Sequence, residues 1–159
     1  MLSSRFLLLP FGLQMLCMAF DELYFHRRRG LPRWERIGHP LDTLTVLLCL
    51  LWLVSVPPGP GAVAAYAGLA IFSCLFVTKD ERVHLSHCCA AEQWLHALLF
   101  TLHPLVLLSA GLLWPAAHGI RYAGNERTLL TALCAVVFGF GMFQFIYWNL
   151  LWRSPKAAR

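Results

Sequence analysis

Charge is what this sequence has least of. Of its 159 residues only 13% are charged, about half the share usual in soluble proteins. That scarcity, beside 58% apolar residues, excludes a disordered chain and an ordinary soluble enzyme. No basic surface on a soluble fold is evident, which excludes nucleic acid as a partner. Cys-x-x-Cys is absent. Cys88 and Cys89 are adjacent, and Cys17, Cys49, Cys74 and Cys134 sit inside apolar runs, where cysteine behaves as a small hydrophobe. A phosphate-binding loop, a Ser-His-Asp signature, an internal repeat and a low-complexity tract are all missing too.

What is present is hydrocarbon, with a mean hydropathy of +0.61. Apolar runs cover approximately 6–25, 41–56, 62–77, 90–114 and 129–152. Each approaches the roughly 20 residues that a helix needs to span a bilayer, and open strands cannot satisfy their backbone in lipid. The expected fold is therefore all-α, a polytopic helical bundle of about five spans, with residues 1–159 forming a single membrane domain. Phe20-Asp21-Glu22 is a poor cleavage site, so the first run is read as a span and not as a signal peptide. The six tryptophans fall mostly near the run ends, as an aromatic belt would.

Lysine and arginine set the orientation. Arg27, Arg28, Arg29, Arg33, Arg36, Lys79, Arg82, Arg153, Lys156 and Arg159 fall on one side, and Arg5, Arg121 and Arg127 on the other. The positive-inside rule then predicts an N-terminus outside and a C-terminus in the cytoplasm, in what reads as a bacterial inner membrane. Reporter fusions after Arg36, Pro58, Glu81, Ala117 and Arg159 are expected to alternate, with the first, third and fifth cytoplasmic. An extracellular signal from the Arg159 fusion would overturn this orientation.

The same rule does not account for the acids and histidines. Seven of the eight acids and five of the seven histidines gather at the predicted cytoplasmic face. Glu22/His26 and Glu92/His96 are each four apart, which places both members on one helix face. Asp80/His84 repeat that spacing, Glu81 and His84 form a Glu-x-x-His, His84 and His87 are three apart, and so are His39 and Asp42. Four helix ends thus offer a carboxylate with an imidazole at one level, the donor chemistry of a metal site.

The ligand types resemble those of soluble di-iron bundles and of His-rich membrane hydroxylases and desaturases. The sequence departs from both. It holds one Glu-x-x-His instead of two, and His84-Leu85-Ser86-His87 is followed by Cys88 where a third histidine would stand. The expected metal ligands are Glu22, His26, His39, Glu81, His84, His87, Glu92 and His96, holding a divalent metal, with two iron ions preferred. Glu22 and Glu92 are the expected bridges of a metal pair. The implied function is a non-haem di-iron oxidase or hydroxylase of a lipid-like substrate, with membrane lipid and a cytosolic electron donor as partners. A zinc hydrolase uses the same residue types. A small accessory membrane subunit and a metal-handling transporter are the other readings. The acids cluster at one face and form no path across the bilayer, which counts against transport.

Overall fold

The computed structural model describes residues 6–120 and 124–152, apart from the side chains of Arg82 and Val83. Arg5, Arg121, Arg153, Lys156 and Arg159, which enter the orientation count, lie outside the described residues. Five helices are long and apolar enough to cross a membrane: α1 (Phe6–Arg29), α2 (Arg33–Ser55), α3 (Pro60–His87), α4 (Ala90–Ala117) and α5 (Glu126–Leu151). No strand occurs among the described residues.

Two expected loops are largely helix. The 26–40 segment completes α1, turns over three residues and begins α2 at Arg33, eight residues before the apolar run starts. Gly30 makes the turn with φ 73° and ψ 154°, a region open essentially to glycine alone. A Cβ there would also lie 2.8 Å from the Trp152 ring. The 78–89 segment is helical as well. A tight turn at Val77–Asp80 leads into Glu81–His87. Hydropathy misses both because they are rich in polar residues, several of which, His26, Glu35, Asp80 and His84, are buried in the bundle against one another.

Small residues set the close approaches. At Gly141 a Cβ would stand 3.1 Å from Thr43, so α5 lies tight against α2. Gly111 gives room to the Tyr66 ring, whose hydroxyl donates to the Leu107 carbonyl at 2.6 Å. Cys49, Leu50 and Leu53 of α2 pack with Leu107, Ala110 and Leu113 of α4 and Leu130 of α5 to form the core.

Pro40 lies inside α2 and has no N–H to give the Arg36 carbonyl. Asn149 of α5 donates to that carbonyl at 3.0 Å and fixes the two helices in register. At the other end of the bundle, the Trp114 indole donates to Val56 O at 2.8 Å, and His118 Nε2 lies 2.8 Å from Leu53 O. These contacts cap the C-terminal carbonyls of α2. Trp114 and Trp148 are accordingly buried against protein, whereas Trp34 and Trp94 are exposed as a belt requires.

Candidate metal centre

Residues Asp21–His26 form a π-helical turn near the end of α1. In an α-helix of 3.6 residues per turn, positions five apart diverge by about 140°. In a π turn they align. Asp21 and His26 therefore face the same way as Glu22, and all three are buried.

Asp21 Oδ2 stands 3.1 Å from His26 Nε2 and 3.0 Å from His96 Nε2. Glu92 Oε1 lies 3.9 Å from the same His26 nitrogen. On the other edge of the ring, Glu22 Oε2 is 3.4 Å from His26 Nδ1, and Glu22 Oε1 is 4.0 Å from His39 Nδ1. Two donor groups result, Asp21/His26/Glu92/His96 and Glu22/His26/His39, and each has its ligand atoms within 4.8 Å of one another. They share His26. A third group, His84/Cys88/His96, adjoins the first through His96. The rings of His84 and His96 are 4.0 Å apart and those of His26 and His39 4.8 Å apart. Burial, with Glu92 and Glu35 nearby, pushes the Cys88 thiol up to about 12.

Glu22 is held from α5. Gln144 Nε2 donates to its Oε1 at 2.7 Å, and Trp148 Nε1 donates to its Oε2 at 2.6 Å. Thr43 Oγ1 in turn donates to Gln144 Oε1 at 2.7 Å. Trp148 belongs to a second π turn, Tyr147–Leu151. Deeper in the bundle His103 Nε2 pairs with Ser73 Oγ at 2.9 Å, and Ser73 with Thr45 at 2.7 Å.

Of the residues expected from the sequence, Glu22, His26, His39, His84, Glu92 and His96 are brought together. Glu81 and His87 are exposed and join none of the donor groups among the described residues. Glu81 opens the short helix on its outer face, and the His87 ring lies 2.7 Å from Ser86. Glu22 and Glu92 fall in different groups on opposite edges of His26, so they do not form the common pair of bridges expected of them.

Sequence reasoning missed Asp21, Cys88, Arg29 and Glu35. Arg29 Nη2 sits 2.8 Å from Glu35 Oε2 and 2.9 Å from Glu92 Oε1, inside the cluster. The punctuation of Gly30 followed by Pro32 marks a helix stop and start. Read that way, it would have placed Arg29 and Glu35 on facing helix ends. Lys79 similarly bridges Asp42 at 2.6 Å and Asp80 at 2.9 Å. Gly38 leaves room for that pair, since a Cβ there would stand 3.1 Å from Asp80 Oδ2.

Two observations test whether these residues fit a metal. Both ring nitrogens of His26 and of His84, His96 Nδ1, Asp21 Oδ1 and Glu35 Oε1 are buried without a hydrogen-bond partner among the described residues. His26 is close to its carboxylates, yet they lie off the direction a ring N–H would need. Orphaned buried polar atoms are costly, and so many around one centre fit a ligand set. The second observation is charge. Among the described residues the lysine and arginine partners of Asp21, Glu22, Glu35, Asp42, Asp80 and Glu92 are Arg29 and Lys79, which leaves four negative charges facing the histidines in a largely buried space. Two divalent ions, or protonated imidazoles, would balance them.

A cavity of about 260 Å³ opens from this cluster, and all five helices line it. Its polar end is Asp21, Glu22, His26, His39, His84 and His96. Its remaining wall is mostly hydrocarbon, including Phe11 and Met15 of α1, Leu99 and Phe100 of α4, and Leu133 and Val137 of α5.

Comparison with known proteins gives no match to a family model, a curated protein or a solved structure. What fold and site define is a class: an all-helical chain with five helices apolar enough to cross a membrane. Within it, buried histidine and carboxylate groups have the spacing to hold a metal ion.

Proposed function

We propose that this chain is a membrane-embedded metalloenzyme with its metal centre at the cytoplasmic face and a lipid-like substrate in the adjoining cavity. The observation that carries this reading is His26. Its ring is fully buried, each nitrogen faces a different carboxylate, and neither is hydrogen-bonded. Ions on its two edges would satisfy both nitrogens, with the ring bridging them as an imidazolate after losing its remaining N–H proton. Iron is the preferred metal, because the donors combine several carboxylates with imidazoles.

The reaction proposed is hydroxylation of a C–H bond. The substrate and O₂, with two electrons and two protons from a cytosolic donor, give the alcohol and water. The N-out, C-in orientation that puts the donor side in the cytoplasm, and a bacterial inner membrane as its setting, belong to the same proposal.

Metal content tests it. Protein purified without chelator is expected to carry iron, zinc or manganese at stoichiometric levels by elemental analysis. Glu92→Ala should lose much of it with helicity unchanged by circular dichroism. Glu126→Ala, at the opposite end of the bundle, should keep it. Wild-type protein without stoichiometric metal, or equal loss in both variants, would overturn the site.

Arg29 favours a second reading. It already pairs two of the buried acids, as in a self-neutralised cluster of an accessory subunit.

A further inference from the structure

The shape of the cavity carries a more specific statement about what enters it. From Glu22 to Phe11 on α1 is eleven residues, from His96 to Val106 on α4 ten, and from Gln144 to Leu133 on α5 eleven. At 1.5 Å per residue the apolar section therefore runs about 15 Å away from the cluster. A volume near 260 Å³ over that length is a narrow channel. It is wide enough for a hydrocarbon chain.

Its direction matters as much as its width. The cluster lies where α1 ends and α4 begins, and the channel leads from there toward the middle of the helices. An amphiphile resting in the same leaflet has its head at that level and its tail pointing the same way.

The packing supplies a route in. α1 packs on α4, and α5 on α2 and α4, while α1 and α5 make little close backbone approach to each other. Among the described residues their direct hydrogen bonds are those of Gln144 and Trp148 to Glu22, at the polar end. Beyond that clasp the two helices face each other across the channel.

We infer that the channel binds a single-chain amphiphile with its head at the donor cluster and its tail between α1, α4 and α5, and that the head is a neutral oxygen group, an alcohol or aldehyde. The neutral head follows from the charge count. Two divalent ions offset the four surplus negative charges, His26 bridging as an imidazolate adds one more, and a carboxylate head would bring a further anion into a buried site. This part rests on the metal reading. The binding of the tail does not.

The test uses full-length protein in phospholipid nanodiscs with two photoreactive dodecanols, one with a diazirine near the hydroxyl and one with it near the chain end. Mapping by mass spectrometry is expected to place the first label around Met18, His96 and Gln144. The second should fall around Phe11, Val106 and Leu133. Excess unlabelled dodecanol should remove at least nine-tenths of the label, roughly the displacement of a ligand facing a tenfold-saturating competitor. Dodecanoate and a diacyl phosphatidylcholine should compete at least tenfold less well.

Val137→Trp, which narrows the channel, should lose the label and keep its metal. Leu105→Trp, on the exposed face of α4, should keep both. Labels confined to exposed Leu98, Leu105 and Leu108, or the two labels in reversed order, would overturn the binding mode. Stronger competition by dodecanoate would overturn the neutral head. Correctly ordered labels in protein that holds no metal would sink the metalloenzyme reading and leave the channel assignment standing.

Discussion

His26→Ala is expected to empty the whole centre, with metal affinity falling by more than about 100-fold, beyond the 10–100-fold typical for losing an outer-sphere partner of a ligand. The reason is geometric. His26 presents Nε2 to the group containing Asp21, Glu92 and His96, and Nδ1 to the group containing Glu22 and His39. No other described residue belongs to both. His39→Ala should therefore lose one metal equivalent and leave the other, a split that a single shared pocket would not produce. His103→Ala is the control, because His103 is buried in the same cavity but bonded to Ser73 away from the donor groups. Titration with Co²⁺ followed by visible absorbance gives the stoichiometry of each variant. His26→Ala protein that still takes up two equivalents would remove the shared-ligand centre. His26→Gln separates loss of the ligand from loss of packing volume, since it fills most of the space without an imidazole.

The Arg29→Met variant separates the two readings of the cluster by sign. Arg29 is the cation that Glu35 and Glu92 share. Removing one partner from a buried ion pair costs roughly 3–5 kcal/mol, so the metal-free variant should unfold at a clearly lower temperature than wild type. If the acids are metal ligands, the guanidinium competes with the ion for Glu92. Its removal should then tighten metal binding, and added metal should restore the melting temperature. A ligand at 100 times its Kd contributes about 2.7 kcal/mol to the folded state, enough to offset most of the loss. A purely structural cluster gives the same destabilisation with no recovery. Thermal unfolding in detergent, with chelator and with excess Fe²⁺ or Zn²⁺, distinguishes them.

The helices and part of the site are legible in the sequence because each follows a period. Apolar runs mark the five long helices, and four-residue spacing marks Glu22/His26 and Glu92/His96. The misses fall where a different rule operates. Asp21 is five residues from His26, and only the wider π turn puts them together. Residues 33–40 are too polar for a hydropathy window, yet Glu35 is fully buried because Arg29 meets it inside the bundle. Glu81 sits in a sound Glu-x-x-His, but that short helix turns His84 inward and Glu81 outward. Which of two spaced residues faces the centre depends on how α3 leans on its neighbours, and that is a property of the assembled bundle.

The π turn in α1 also bears on how such a site tolerates a change in chain length. A π turn contains one residue more than the α-helical turn it replaces. An ancestor lacking one residue between Leu23 and Phe25 would carry an uninterrupted α-helix with Asp21 and its histidine four apart, already on one face. Both helices would cross the bilayer, and both would score alike in hydropathy. One inserted codon would turn the two residues about 100° further apart in a strict α-helix, and the wider π turn absorbs it, so the aspartate and the histidine keep pointing at the same spot. Such a turn lets a span lengthen by one residue at its polar end without dispersing the groups gathered there.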